Sequence, residues 1–179
     1  KPLNVAVSGA LLRYLLDTQK NTLSHLKKVA LVNVQQKMML DSTTLRNLEL
    51  TQNIRDGTTR GTLLSVLDKT VTSLGARLLR KWLKEPLLNT EAINKRLNAV
   101  EELNRRVIQR EEIISLLESV YDLERLISKV NYGSANARDL LSLKTSLLQL
   151  PKIKQKLSGF ECELLLEINL IDNLHELAA

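Results

Sequence analysis

The residues that could do chemistry are few and scattered in this 179-residue chain. His25 and His175 lie near opposite ends, and neither has a Cys or a second His at metal-ligand spacing, so neither is expected to hold a metal. Cys162 is the single cysteine, which excludes an internal disulfide. Glu161 and Glu163 flank it and would raise its pKa, so it reads as a small buried or half-buried apolar residue and not as a nucleophile. Asp56-Gly57-Thr58-Thr59-Arg60-Gly61-Thr62 superficially resembles a phosphate loop. A nucleotide-binding P-loop needs GxxxxGK[ST] after a strand; here no Lys follows the second glycine, and the segment before it reads as helix. Glu101-Glu102 and Glu111-Glu112 are neighbours in sequence, and adjacent helix positions do not face one another, so they read as solvated faces. No catalytic residue, cofactor-binding residue or metal ligand is assigned.

One constellation is more pointed. Arg77, Arg80, Lys81 and Lys84 fall within a roughly 100° arc of a helix, with Leu78, Leu79, Trp82 and Leu83 around the remainder. Such a face can meet phosphates or dock an acidic domain. It lacks the interleaved aromatic or amide side chains that would read or stack on bases.

The elements that position these residues are mainly helices. Ser8 can cap a helix running to about Thr18. Val29, Leu31, Val32 and Val34, then Met38, Met39 and Leu40, flank the polar Gln35-Gln36-Lys37 and read as a small β-hairpin near the N-terminus. Asp41 to Thr44 is rich in capping residues and opens a short helix ending near Asn53. A loop over 54–61 follows, with a turn at Asp56-Gly57, then a short helix over 62–68 and another ending at Lys84. Asn89 or Thr90 caps a helix that can run through Val120, about 30 residues and 45 Å long. Further helices are expected over 122–130, from Asn136 to Leu150, from Pro151 to a stop at Gly159, and over 161–178. Trp82 is expected in the core, where Trp82→Ala would cost about 3 to 5 kcal/mol. The last helix needs a partner for Leu164, Leu165, Ile168, Ile171 and Leu174.

Composition agrees with a helical reading. Forty residues are leucine, whereas Tyr14, Trp82, Tyr121, Tyr132 and Phe160 are the aromatics, and only six glycines and three prolines interrupt the pattern. The net charge of +6 divides unevenly: residues 1–100 carry sixteen Lys/Arg against seven Asp/Glu, and residues 101–179 ten against thirteen. That asymmetry favours an acidic partner or a nearby polyanion. No run of about 18 apolar residues is present to cross a membrane. Lys1-Pro2 lacks an initiator Met and no secretory apolar core follows, so the chain reads as a piece of something longer with no export signal.

Specific runs add a resemblance. Met39-Leu40-Asp41-Ser42-Thr43-Thr44-Leu45-Arg46-Asn47-Leu48-Glu49-Leu50 closely resembles the entry to the core domain of the MutS family of DNA mismatch repair ATPases. The similarity continues from Thr62 through Leu79, at Trp82-Leu83 and at Pro86-Leu87. Gly9 to Lys20 resembles the segment joining the family's connector domain to its core, and Asp122 to Leu126 and Ala137 to Leu140 resemble core helices. Residues 1–28 then read as a joining helix and linker, and 29–179 as a helical core domain with long lever-like helices.

The resemblance implies a role without a reaction centre. The family's mismatch-reading domain, its DNA clamp and its ATPase domain have no counterpart in these residues, so no functional residue of theirs transfers to any position. What transfers is mechanical: a lever-bearing core linking mismatched-DNA binding to the ATPase. The resemblance further implies ATP and magnesium as cofactors of the full-length protein only. It likewise implies duplex DNA, a second MutS subunit and a MutL-type protein as partners, and a cytoplasmic location. The alternative is a helical nucleic-acid-binding adaptor that uses the basic N-terminal half directly; an enzyme in its own right ranks last.

Overall fold

The computed structural model describes residues 2–18, 37–172 and 174, which fall into two units, Lys1–Gln35 and Gln36–Ala179. The first holds α1 (Pro2–Thr18). This helix begins at Pro2 and runs through Ser8, the expected cap, because proline is tolerated in a first turn. Leu3, Val5, Leu11, Tyr14 and Leu16 are exposed around it, and within its own unit it buries no residue.

The second unit contains α2 (Ser42–Asn47), α3 (Leu63–Leu67), α4 (Ser73–Lys84), α5 (Thr90–Arg105), α6 (Val107–Glu118), α7 (Leu123–Asn131), α8 (Ala137–Leu157) and α9 (Glu163–Asn169). Most begin where a short polar side chain can satisfy an orphan N–H. Asp41, Thr62, Thr72, Asn89 and Asp122 accept from the N–H groups of Thr44, Ser65, Gly75, Ala92 and Arg125. Asn136 and Asp139 form a reciprocal capping box at the start of α8. Helix α7 stops in a paired motif: Gly133, at φ +68°, donates to the carbonyl of Val130, and Ser134 donates to Lys129.

Several boundaries differ from the expected ones. The expected 30-residue helix breaks at Arg106, whose ψ of 63° is not helical, leaving α5 and α6. Ala99 and Ile113 would lie about 21 Å apart along an unbroken helix, yet both pack into one cluster with Leu157, Phe160 and Leu165. Pro151 sits inside α8 and does not open a new helix. It has no N–H to donate and costs about 3 kcal/mol in a helix interior, but Leu147 and Leu157 are buried on either side of it and Ile153 packs on the core. Burial of about 2 kcal/mol per such side chain outweighs the proline. Gly159 is not in the left-handed region; α8 ends on Ser158 in helical geometry. Helix α2 ends at Asn47 and the last helix at Asn169, both shorter than expected.

Val29 to Val34, one arm of the expected hairpin, lies outside the described residues. Lys37, in the expected turn, forms an isolated antiparallel bridge with Leu87, and Met38, which opens the other arm, donates its N–H to the Pro86 carbonyl at 2.8 Å. No regular strand occurs among the described residues.

Helix α8 is the spine of the larger unit, packing against α6, α7 and α9, while α5 packs against α6 and α9. Phe160 is the buried aromatic at its centre, 2% exposed. Trp82 is not in the core: it is 38% exposed and lies against the Arg96 guanidinium, 3.7 Å from the ring centroid. The indole is a wide platform for a cation.

Ser146 is fully buried on α8 and ties the α6–α7 connection to it. Its hydroxyl accepts from the Tyr121 N–H at 2.9 Å and donates to the Ser142 carbonyl at 2.9 Å. Ser146→Ala leaves the Tyr121 N–H without that acceptor and should destabilise the chain by about 1 to 3 kcal/mol in a denaturant melt. A loss indistinguishable from zero would show that water replaces the hydroxyl.

Candidate functional site

Helix α4 carries the basic face, and the residues around it decide what each charge meets. Thr72 caps its N-terminus at Gly75, where there is no room to spare: an added Cβ would come within 3.0 Å of the Thr72 hydroxyl. At the other end, the Lys37–Glu85 ion pair and the Met38–Pro86 hydrogen bond hold the start of the unit against the end of α4.

Arg77, Arg80, Lys81 and Lys84 all stay exposed but do not share one environment. Arg77 is committed to the chain itself. Its guanidinium donates to both Asp122 oxygens at 2.7 Å and to Glu124 at 2.7 Å, in a fork that fastens α4 to the start of α7. Arg77 holds the Asp122 carboxyl well below the usual carboxylate range; partial burial opposes this, and the Arg125 N–H and the Ser73 hydroxyl reinforce it. Asp68 is lowered chiefly by the hydroxyl and N–H of Thr70, with Arg80 adding a weaker attraction. Lys37 lowers Glu85, and Lys81 adds to it. Lys84 lines an open concavity with Arg46. Arg77 is therefore ion-paired within the chain, Arg80 and Lys81 add weaker attraction to Asp68 and Glu85, and the stripe is divided along its length.

The segment Asp56 to Thr62 is a turn, with Gly57 and Gly61 at φ +69° and +80°. Asn53 organises it, donating to Thr58 and to the Arg60 carbonyl and accepting from the Asp56 N–H. Cys162 is half-buried and its thiol is pushed up, first by burial and then by Glu102 rather than by its sequence neighbours. His25 and His175 lie outside the described residues. Among those described, no group of three or more His, Cys, Asp or Glu is placed to hold a metal ion.

Sequence reasoning missed the most connected polar pair. Glu102, expected on a solvated face, turns inward to accept from the N–H groups of Glu161 at 2.9 Å and Cys162 at 2.8 Å, just ahead of α9. Burial raises its pKa, but these donors and Arg106 more than offset that and hold it below the usual range. Arg106 pairs with Glu102 at 3.2 Å, donates to the Gly159 carbonyl and lies over the Phe160 ring at 5.1 Å. The i,i+4 spacing of Glu102 and Arg106 was the available signal.

The Arg77–Asp122 contact gives a pH test. A carboxylate whose pKa is lowered on folding adds stability that is complete above its unfolded value, about pH 4, and is lost as pH falls below it. Asp122→Asn keeps the cap on Arg125 and removes the charge, so it should flatten the acid side of the stability profile. Asp122→Ala loses the cap too and should fall about 1 kcal/mol below Asp122→Asn at neutral pH. Superimposable acid profiles for wild type and Asp122→Asn would refute the ion pair's role.

Comparison with known proteins places the chain. The family model described as MutS domain III matches residues 43–178. A relative named DNA mismatch repair protein MutS, from Ruminiclostridium cellulolyticum, is 52% identical over 159 residues, covering 89% of this chain and 18% of its own length. Its namesake from Halothermothrix orenii is 46% identical over 176 residues, 98% of this chain and 19% of its own. The protein of that name from Methanothrix thermoacetophila is 42% identical over 167 residues, 93% of this chain and 20% of its own. The chain thus spans about a fifth of the length of these curated relatives. With a domain match over most of its residues and close relatives along nearly all of them, the chain belongs to the MutS family, as its domain III core region.

Proposed function

We propose that this region is the mechanical link through which a DNA mismatch repair protein couples its grip on mismatched duplex DNA to an ATPase elsewhere in the same polypeptide. The observation that carries the reading is the junction at Arg106. Helices α5 and α6 meet at one non-helical residue, and the same side chain holds the α8–α9 connection through Gly159 and Phe160. Helices packed in this way move as stiff bodies, and coupling needs an element with two discrete arrangements; in this reading the junction at Arg106 is that element. ATP and magnesium are bound by other parts of the full-length protein in this reading. A second MutS subunit and a MutL-type protein are its partners, and its location is cytoplasmic.

The face of α4 serves docking in this scheme, because Arg77 already spans two elements of the core. A direct DNA-binding adaptor is the competing reading, favoured by the exposure of Arg80, Lys81 and Lys84.

Two measurements decide between them. The isolated chain should bind duplex DNA weakly and show no ATP turnover; tight binding with a steep salt slope that is lost in Arg80→Ala, Lys81→Ala and Lys84→Ala would favour the adaptor. In the full-length protein, Arg106→Ala should leave basal ATP hydrolysis in place and reduce its response to mismatched DNA. An undiminished response would remove the junction from the coupling path.

A further inference from the structure

We infer that the concavity between α2 and the end of α4 binds a phosphoryl group, with Arg46 and Lys84 supplying the positive charge. The pocket is open, encloses about 400 Å³, and is lined on its polar side by Ser42, Arg46, Thr51, Gln52 and Lys84. Neither cation is there by sequence proximity. Arg46 lies in the last turn of α2, Lys84 ends α4, and the Met38–Pro86 and Lys37–Glu85 contacts hold the start of the unit against the end of α4.

Three acids of this region are engaged by backbone N–H groups. Asp41 is turned onto the Thr44 N–H at 2.6 Å, Glu49 onto the Ile54 N–H at 2.6 Å, and Asp56 onto the Thr58 N–H at 2.9 Å. None of the three lines the pocket. Among the described residues no carboxylate lies within ion-pair distance of Arg46 or Lys84, although Lys37, Arg77, Lys95, Arg106, Lys129 and Lys156 each have one. Placement in a last helical turn favours a cation by less than about 1 kcal/mol and explains each singly. It does not by itself bring two like charges to one concavity, and that concentration of positive charge favours an anion there. A planar guanidinium, an ammonium and flanking hydroxyl and amide donors match the tetrahedral oxygens of phosphate. The group can come from a nucleic-acid backbone or from a small free phosphate.

The test is an NMR titration of the ¹⁵N-labelled 179-residue chain with inorganic phosphate, and separately with a short duplex DNA. Phosphate should give saturable shifts at the amides of Ser42, Arg46, Gln52 and Ile54. Arg46→Ala and Lys84→Ala should each weaken binding at least about tenfold, the loss of one charge-assisted hydrogen bond. Lys84→Arg should retain binding, and Arg138→Ala, remote in sequence on α8, should leave it unchanged. Duplex binding that falls with Arg46→Ala and Lys84→Ala but not with Arg80→Ala or Lys81→Ala identifies the backbone as the source, whereas duplex binding indifferent to Arg46→Ala and Lys84→Ala identifies a free phosphate. Saturable shifts mapping elsewhere on wild type overturn the site without reliance on any variant. So do shifts that climb without saturation across many surface cations, if duplex binding also ignores Arg46 and Lys84.

Discussion

Arg106 interrupts what would otherwise be one helix from Thr90 to Glu118, and the architecture of the larger unit depends on that interruption. The guanidinium meets Glu102, the Gly159 carbonyl and the Phe160 ring, while Glu102 holds the two N–H groups ahead of α9. Four helices are thereby fixed at their ends by two side chains one turn apart. The helices without a side-chain cap of their own are α6 and α9, and both start at this cluster. A charge pair that is only partly buried adds modest stability. Its larger effect is directional: it sets where α6 leaves α5 and where α9 returns, and the Phe160-centred core fills the space between.

A second tie joins the basic part of the chain to the acidic part. Arg77 reaches Asp122 and Glu124 across the fold. The uneven charge therefore has an internal use before any external one. A helical stripe that looks uniform in projection thus meets different surroundings, since its first residue is engaged within the chain and its last opens on a pocket.

The leucine excess takes on a similar meaning. Only Phe160 among the aromatics is fully buried; Tyr14, Tyr121 and Tyr132 are exposed and Trp82 is one-sided. Aliphatic side chains on capped helices make the core, and many others, such as Val100, Ile108, Leu140 and Leu141, remain at the surface. Exposed apolar residues on several helices fit a chain that spans about a fifth of its relatives' length.

The sequence alone determined the helical class, most helix starts and the family. Capping is local chemistry, so Asp41, Thr72, Asn89 and Asn136 announce helix starts within three residues of themselves. The same locality explains the misses. Arg106 breaks a good helical pattern because of partners more than fifty positions away, and α8 runs through Pro151 because Leu147 and Leu157 are buried on both sides. Trp82 leaves the core because Arg96 offers its face a cation. Glu102 is an ordinary helical glutamate until α9 places two N–H groups over it. Arg46 and Lys84 likewise line one concavity only once Lys37 and Met38 have met Glu85 and Pro86. Short-range hydrogen bonds and periodic burial can be read from neighbours in the chain, whereas contacts between distant segments depend on how the whole unit closes.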